Sequence, residues 1–465
     1  MPAAPHTPPP AGAALPPRAR LAVAVGRSLG ALSRAAGRGT GSVIGGHAIL
    51  AIQPQALALL ATGRRVALVS GTNGKTTTTK LLAAAVGALT GSEVVTNVLG
   101  ANMPTGLAAA LAAGPPGCPA VLEVDEAWLG RVATQVRPVV VVLLNLSRDQ
   151  LDRNNEVRHV AQRWRQVCQE ATGATVVANA DDPLVAWAAS GAEKVTWVGA
   201  GLRWTGDATG CPQCAGPIEF APSGDEWRCA QCDFARPQPE VWLSAQGLAG
   251  DGTGAEGVGG RAHFADGRSV AVRLRLPGRC NQANAVTAMA AATAMAGPRP
   301  ATPEVAPTAR AEVALAAMAK VVDVAGRYAV VRLGASPARL LLAKNPAGWA
   351  EVFDMLAPAP APVVVAINAR TADGHDPSWL WDVPFERLAG RKVVATGERG
   401  TDLAVRLHYA DVDHELVSDL MGAVKAASGG RPGSDAKTGE VVDVVANYTS
   451  FHQLLARAGA GEREP

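Results

Sequence analysis

VALVSGTNGKTTTTK, residues Val66 to Lys80, sets an apolar run, a glycine loop and a Thr-rich segment one after another. Val66 to Val69 reads as a short buried strand, and Thr76 onward through Leu81 to Leu89 reads as a helix. Between them lie Gly71, Thr72, Asn73, Gly74, Lys75, Thr76 and Thr77, a loop whose glycines let backbone N–H groups turn inward on a phosphate. The helix N-terminus adds positive dipole, Lys75 can reach the β- and γ-phosphates, and the Thr76 hydroxyl can bind magnesium. The spacing departs from G-x-x-x-x-G-K-[ST], because Val69 occupies the place of the first glycine. A bare strand-to-helix turn would need only the glycines; strand, loop, Lys-Thr and helix together favour a nucleoside triphosphate site.

The wording GTNGKTT also resembles the ATP loop of the Mur ligase superfamily, whose members activate a carboxylate as an acyl phosphate for attack by an amine. The rest of the chain is consistent with an enzyme of that size. Its 465 residues, 48% hydrophobic, suffice for two or three domains, and a net charge of +3 gives no support for a nucleic-acid partner. No uninterrupted apolar run is long enough for a transmembrane span. Four of the seven cysteines fall in two C-x-x-C pairs, which points to metal and a reducing compartment rather than a disulfide scaffold.

Residues 1–17 are Pro/Ala-rich and expected to be a disordered tail. Residues 18–55 form a helical lead-in: Leu21, Val23, Val25, Leu29 and Leu32 alternate with arginines up to Arg38, and no acidic residue precedes Glu93. That pattern suits a membrane-surface or targeting helix, or a helix packed on the domain that follows, and the direct run into the ATP strand favours packing.

Residues 56–297 read as the central ATP-binding domain, with strands at 93–96, 120–124, 139–144, 174–178 and 194–198. Continuous runs such as VVVVLLN predict strands buried on both faces, hence a mostly parallel sheet. Ligands gather at the carboxyl ends of such strands. There Glu123 is followed by Val124, Asp125 and Glu126, and Glu123 matches the superfamily's magnesium glutamate. The next strand ends at Asn145 and runs into Ser147, Arg148, Asp149, Gln150, Leu151, Asp152 and Arg153. Amino-acid-adding Mur ligases carry a metal-binding histidine where Gln150 stands, while R-D-Q-L-D-R resembles the MurT-type subunits of lipid II isoglutaminyl synthases. Asn97, Gly100 and the N-M-P-T-G of residues 102–106 resemble the same subgroup, or make an ordinary turn. Asn179 to Pro183, NADDP, reads as a strand exit with helix capping.

Cys211, Cys214, Cys229 and Cys232 make two C-x-x-C knuckles in an insertion spanning 205–237, the pattern of a structural tetrahedral zinc ribbon. Asp225, Glu226 and Glu219 within it speak against nucleic acid. The MurT-type subunit carries such a ribbon, and typical amino-acid-adding Mur ligases do not. Residues 247–260 read as a flexible hairpin and 270–276 as an edge strand. Asn281 and Asn284, opening a long Ala-rich helix, take the places of two asparagines that the superfamily sets near adenine, although a helix N-cap accounts for one of them equally well.

A Pro-rich linker at 298–312 leads to a C-terminal α/β domain, 313–460, with strands near 340–344, 363–367, 392–395 and 441–446 and a helix near 349–356. Arg327 resembles the superfamily's hinge arginine, which meets the ATP phosphates on closure; a surface arginine is the other reading, since Tyr328 and Ala329 stand where an acidic residue is usual. After the second of these strands come Asp373, His375, Asp376, Trp379, Trp381 and Asp382. This loop resembles the MurT-type C-terminal domain, which implies an active-site aspartate at Asp376, with Asp382 second. The plainer reading has Asp376 capping a short helix and the tryptophans in the core.

The fold expected is therefore α/β: a Mur-ligase central parallel sheet with a phosphate loop and an inserted four-cysteine zinc ribbon, plus a smaller Rossmann-like C-terminal domain. The resemblance implies catalysis by Lys75, Asp376 and Asp382, magnesium at Thr76 and Glu123, and ATP held by Gly71–Thr77, Asn281, Asn284 and Arg327. It implies amidation of the D-glutamate α-carboxylate of lipid II with ammonia from a GatD-type glutaminase, in the cytoplasm at the inner membrane surface. The remaining readings are an amino-acid-adding Mur or folylpolyglutamate-type ligase and a non-catalytic zinc-ribbon module.

Overall fold

The computed structural model describes residues 15–36, 41–97, 101–148, 157–222, 224–244, 259–297, 307–322, 327–334, 336–429 and 441–461. Its strands in chain order are β1 (Val66–Ser70), β2 (Val95–Thr96), β3 (Ala120–Glu123), β4 (Val140–Leu143), β5 (Thr175–Asn179), β6 (Val195–Gly199), β7 (Ile218–Phe220), β8 (Trp227–Cys229), β9 (Val241–Ser244), β10 (Gly259–Phe264) and β11 (Ser269–Arg273). A second group follows: β12 (Tyr328–Leu333), β13 (Ser336–Leu342), β14 (Val363–Ala366), β15 (Val393–Thr396), β16 (His414–Leu416) and β17 (Val442–Ala446).

The first sheet runs β11-β10-β9-β6-β5-β4-β1-β3-β2. It is parallel from β2 through β9 and antiparallel where β10 and β11 close it. Every residue of β1, β3, β4 and β5 is buried, as unbroken Val/Leu runs require when helices cover both faces. Register then decides what meets at the active end. Val69 lies opposite Glu123 and Ser70 opposite Leu143, so the phosphate loop leaves β1 beside the ends of β3 and β4.

The second sheet runs β12-β13-β17-β14-β15-β16, with only the β12–β13 pair antiparallel. The four expected strands are there; β12 and β16, exposed or interrupted in pattern, were not read from the sequence. Neither were β9 and β10; most of the expected 247–260 hairpin lies outside the described residues, and β11 is the edge strand expected near 270–276. The two-stranded β7–β8 ribbon sits between β6 and β9 in the chain.

Three boundaries differ from expectation. The N-terminal helix is two helices, Pro17–Ala35 and Ser42–Ile52, because glycines interrupt it. The helix expected near 349–356 is Pro346–Val352, started by the Asn345 cap. The expected linker of 298–312 ends early: Pro307–Met318 is a helix whose Ala311, Ala314, Leu315 and Met318 recur at helical spacing and join the core of the first sheet. Residues 298–306 lie outside the described set.

The second domain is tied internally by an ion pair across β13 and β17. Asp443, 3% exposed, accepts from Arg339 Nε at 2.7 Å, from Arg339 Nη2 at 2.9 Å and from the Ala357 N–H at 2.7 Å. Removing the acid leaves a half-buried guanidinium and an amide without their acceptor. Asp443→Ala is expected to cost about 3 kcal/mol, at the lower end for a broken buried pair; denaturant unfolding checks it, and a cost below about 1 kcal/mol would place the domain's stability elsewhere.

Candidate active site

The loop after β1 is clamped from two sides. Asn145, just past β4, accepts the Asn73 N–H at 2.9 Å and donates back to the Asn73 carbonyl at 3.0 Å, while its own carbonyl takes the Thr72 N–H at 2.9 Å. The Thr72 hydroxyl donates to the Ser147 carbonyl at 3.2 Å and accepts the Ser147 N–H at 3.0 Å. Gly74 caps the helix Lys75–Thr90 with φ 85°, and a Cβ there would stand 2.8 Å from Asn284 Oδ1. Glycine is needed both for that conformation and for the asparagine's approach.

Two charged pairs rise from this loop. The Thr76 hydroxyl donates to Glu123 Oε2 at 2.8 Å, and Asn102 Nδ2 reaches Glu123 Oε1 at 3.3 Å. Asn97 fixes the Glu123 backbone, accepting its N–H and donating to its carbonyl, both at 2.8 Å. Glu123 is 2% exposed, so its carboxylate is presented by these partners rather than by solvent. A hydroxyl and a carboxylate oxygen side by side at the phosphate end of a sheet are the hard donors that magnesium takes beside a nucleotide. Lys75 folds onto its own loop, donating to the Gly71 carbonyl at 2.5 Å and the Thr72 carbonyl at 3.3 Å, and pairs with Glu126 at 3.1 Å. Burial raises the Glu126 carboxyl above its ordinary value, and Lys75 pulls it part of the way back. Glu126 is thus neither a solvated loop residue nor a Thr76 partner; it is the counter-ion of the loop lysine.

A cleft between the two domains opens over this loop. Asn73, Gly74, Thr76 and Thr77 form its floor, Asn281 and Asn284 one wall, and Arg327, Gly348 and Glu351 the other. Of the expected nucleotide residues, Asn73, Gly74, Thr76, Thr77, Asn281, Asn284 and Arg327 line the cleft and Gly71, Thr72 and Lys75 do not, and Asn281 Nδ2 also donates to the Pro277 carbonyl at 2.5 Å as the helix begins. Polar contacts across the cleft join Asn345 to Asn73 at 3.4 Å, Arg203 to Asp354 at 3.2 Å and Arg148 to Asp382 at 3.2 Å, and Tyr328 packs against the cores of both sheets. Asp382, whose side chain is 40% exposed, meets Arg148 across the cleft through one carboxylate oxygen, and Arg148 also pairs with Asp207.

Asp376 does not line the cleft. It is exposed, and its two oxygens accept the Ser378 N–H at 2.8 Å and the Ser378 hydroxyl at 2.9 Å, a local turn just before the short helix Ser378–Asp382, whose N-cap position is Pro377 and not Asp376. Trp381 is exposed and meets Tyr409 edge-on at 5.5 Å, so it is no core residue; Trp379 packs against the core. The buried acid of this loop is Asp373, which accepts the Thr449 N–H at 2.8 Å and the Thr449 hydroxyl at 2.5 Å.

The four cysteine sulfurs lie within 4.8 Å of one another, with Cys211–Cys232 at 3.8 Å and Cys214–Cys229 at 3.5 Å. Four thiolates about 2.3 Å from one zinc stand about 3.8 Å apart, so the cluster fits that ion. The ribbon is fastened to the first sheet: Trp227 donates to the Ala180 carbonyl at 3.0 Å and Arg236 pairs with buried Asp181 at 2.6 Å. Next to it Asp182 caps the helix Pro183–Ala189, as read, and also accepts the Leu146 N–H at 2.8 Å.

The sequence reading missed Asn145 and Asn345 as loop clamps and Glu351 as a cleft residue. Asn145 carries a usable signal, standing directly after the VVVVLL run; Glu351 carries none, being one acid among many on a helix. Gln150 lies outside the described residues.

Comparison with known proteins follows the same division. The Mur ligase middle domain family matches residues 69–203, and the MurT ligase C-terminal family matches residues 342–451. The chain is 28% identical over 443 residues to the lipid II isoglutaminyl synthase (glutamine-hydrolyzing) subunit MurT of Streptococcus pneumoniae, spanning 90% of this chain and 93% of that one. It is 25% identical over 371 residues to the subunit of the same name from Staphylococcus aureus, spanning 76% and 79%. Among solved structures, MurF from Acinetobacter baumannii matches with a TM-score of 0.62 at 15% identity, covering 87% of this chain and 79% of that one. A pseudomurein peptide ligase type C from Methanothermus fervidus gives 0.59 at 18%, covering 85% and 79%. The last two likenesses concern the fold alone.

Two outcomes are expected from this geometry. Burial pushes Glu351 up to about 7, against the pull of Arg279 and Arg203, while an unfolded glutamate titrates near 4.5. The folded chain therefore holds a proton that the unfolded chain releases, and stability falls as pH rises through that window. Thermal midpoints of Glu351→Gln should fall less than wild type between pH 5 and pH 8; parallel curves would contradict the assignment. Elemental analysis should find about one zinc per chain, lost in Cys229→Ser, whereas full retention in that variant would exclude the four-cysteine site.

Proposed function

We infer from its membership of the Mur ligase superfamily that this chain is an ATP-dependent carbon–nitrogen ligase, the amidating subunit of a lipid II isoglutaminyl synthase. The observation that carries the reading is Thr76 at the floor of an interdomain cleft, hydrogen-bonded to buried Glu123 behind it and next in the chain to buried Lys75. The reaction it serves joins ammonia to the α-carboxylate of D-glutamate in the lipid II stem peptide.

In the first step a carboxylate oxygen attacks the γ-phosphorus and the bond to ADP breaks, giving an acyl phosphate. In the second, ammonia attacks the acyl carbon, loses a proton and expels phosphate, leaving the amide of D-isoglutamine. Lys75 leaves its loop carbonyls for the phosphoryl oxygens, whose negative charge replaces Glu126 as its main partner. Thr76 and Glu123 hold magnesium, which supplies charge neutralisation at the transferring phosphoryl group. Arg327 and the asparagines at 281 and 284 grip the nucleotide from the two walls, so domain closure completes the site.

Ammonium is not a nucleophile, so free ammonia must be supplied under cover from a second protein that hydrolyses glutamine. The relatives, named as subunits of a glutamine-hydrolysing synthase, support such a companion. Asp376 lies outside the cleft and exposed; we assign it to the face turned toward the glutaminase, where it either orients a residue of that protein or positions ammonia. An amino-acid-adding ligase would instead incorporate a free amino acid with no companion.

Mass analysis of lipid II incubated with ATP, glutamine, the chain and its glutaminase should show glutamate converted to isoglutamine. Lys75→Ala should lower that rate at least about 100-fold with zinc content unchanged. Full activity in the variant would rule out the ATP site as drawn.

A further inference from the structure

The helix Pro17–Ala35 is turned inside out relative to an ordinary surface helix. Its buried positions are Ala19, Ala22, Gly26, Gly30 and Ser33, while Leu21, Leu29 and Leu32 are exposed at 59%, 38% and 64%. A helix on a water-soluble domain buries its leucines and shows its small and polar residues. Here the small residues are needed inward, because the helices nearly touch. A Cβ on Gly26 would stand 2.7 Å from the Gly45 carbonyl oxygen, and one on Gly46 would stand 1.9 Å from that of Thr105, in the next layer. With no inward room, the large side chains face out. Gly41 lies against Gly30, so the start of Ser42–Ile52 falls beside Leu29 and Leu32 and adds exposed Val43 and Ile44 to the same region.

The two helices themselves carry charge of one sign, and the acid that shares a cavity with Arg27 and Arg34 is Glu93, from a later segment. No Asp or Glu precedes Glu93, and Arg18, Arg20, Arg27 and Arg34 punctuate the first helix. Arg18 and Arg27 also tie it to neighbouring backbone, at the Ile52 and Ala112 carbonyls. A second copy of this face would set arginines against arginines, whereas an anionic lipid surface accepts both the leucines and the cations. Among the described residues no helix is long and apolar enough to cross a membrane, so such a contact lies in the plane of the interface.

We propose that the two N-terminal helices dock the protein on an anionic phospholipid surface, with Leu21, Leu29 and Leu32 entering the acyl boundary. The third layer beneath them, Pro104–Ala113, begins two residues after Asn102, whose amide touches Glu123. The docked layers are thus joined through the chain to the segment that holds Glu123. The inference rests on the helix pattern and stands whether or not amidation is the reaction.

The test uses the full chain without ATP, substrate or companion, in cosedimentation with phosphatidylglycerol vesicles and with phosphatidylcholine vesicles. Wild type is expected to bind phosphatidylglycerol at least tenfold better than phosphatidylcholine. The triple variant Leu21→Ser, Leu29→Ser, Leu32→Ser is expected to bind at least tenfold more weakly with ATP binding retained, since exposed positions do not support the core. Arg20→Glu is expected to lose the preference for the anionic lipid. Absence of wild-type binding, undiminished binding by the triple variant, or a concentration-dependent dimer that the triple variant abolishes would each overturn the proposal.

Discussion

The rest of the structure depends on one constraint: Glu123 must be buried and yet remain addressed by polar partners. A carboxylate taken from water costs several kcal/mol unless hydrogen bonds replace its hydration. Thr76 and Asn102 supply those bonds to its oxygens, and Asn97 fixes its backbone. That arrangement exists only because β1 and β3 pair with Val69 opposite Glu123. A shift of one residue in that register would turn Glu123 to the other face of the sheet and dismantle the pair.

The second domain serves this first site rather than standing beside it. Its helix Pro346–Val352 begins at Asn345, which both caps the helix and meets Asn73 of the loop. The polar contacts that join the domains are long or exposed pairs, worth little individually, while Tyr328 packs against the cores of both sheets and Met355 lies against Gly278. By contrast the ribbon is fixed, through buried Asp181 and the Trp227 indole, to the segment that follows β5. It has the makeup of a scaffold and none of a moving part.

Much of this was legible because backbone geometry forces certain residues into certain places. Loop glycines, paired cysteines and a lysine before threonine are positional necessities, so Lys75, Thr76, Glu123 and the cysteine cluster emerged together. Partners were less legible. The Lys75–Glu126 pair, the Asn145 clamp and the Arg148–Asp382 contact join residues far apart in the chain, and only the fold decides which acid meets which base. Asp376 and Asp382 show the limit most clearly: two acids on one loop, read alike, of which one makes a local turn in solvent and the other meets Arg148 across the cleft. The inverted helix Pro17–Ala35 was read only as amphipathic, because periodicity tells which residues share a face and not which face is covered.

The central claim is that the loop at Gly71 holds a triphosphate through a cation seated on Thr76 and Glu123. Calorimetric titration of the zinc-loaded chain with ATP, with and without magnesium, tests it most directly. The account predicts binding that strengthens sharply with magnesium in the wild type and loses that dependence in Glu123→Gln. ATP binding of equal strength with and without magnesium, or a Glu123→Gln variant that keeps the full magnesium effect, would contradict it.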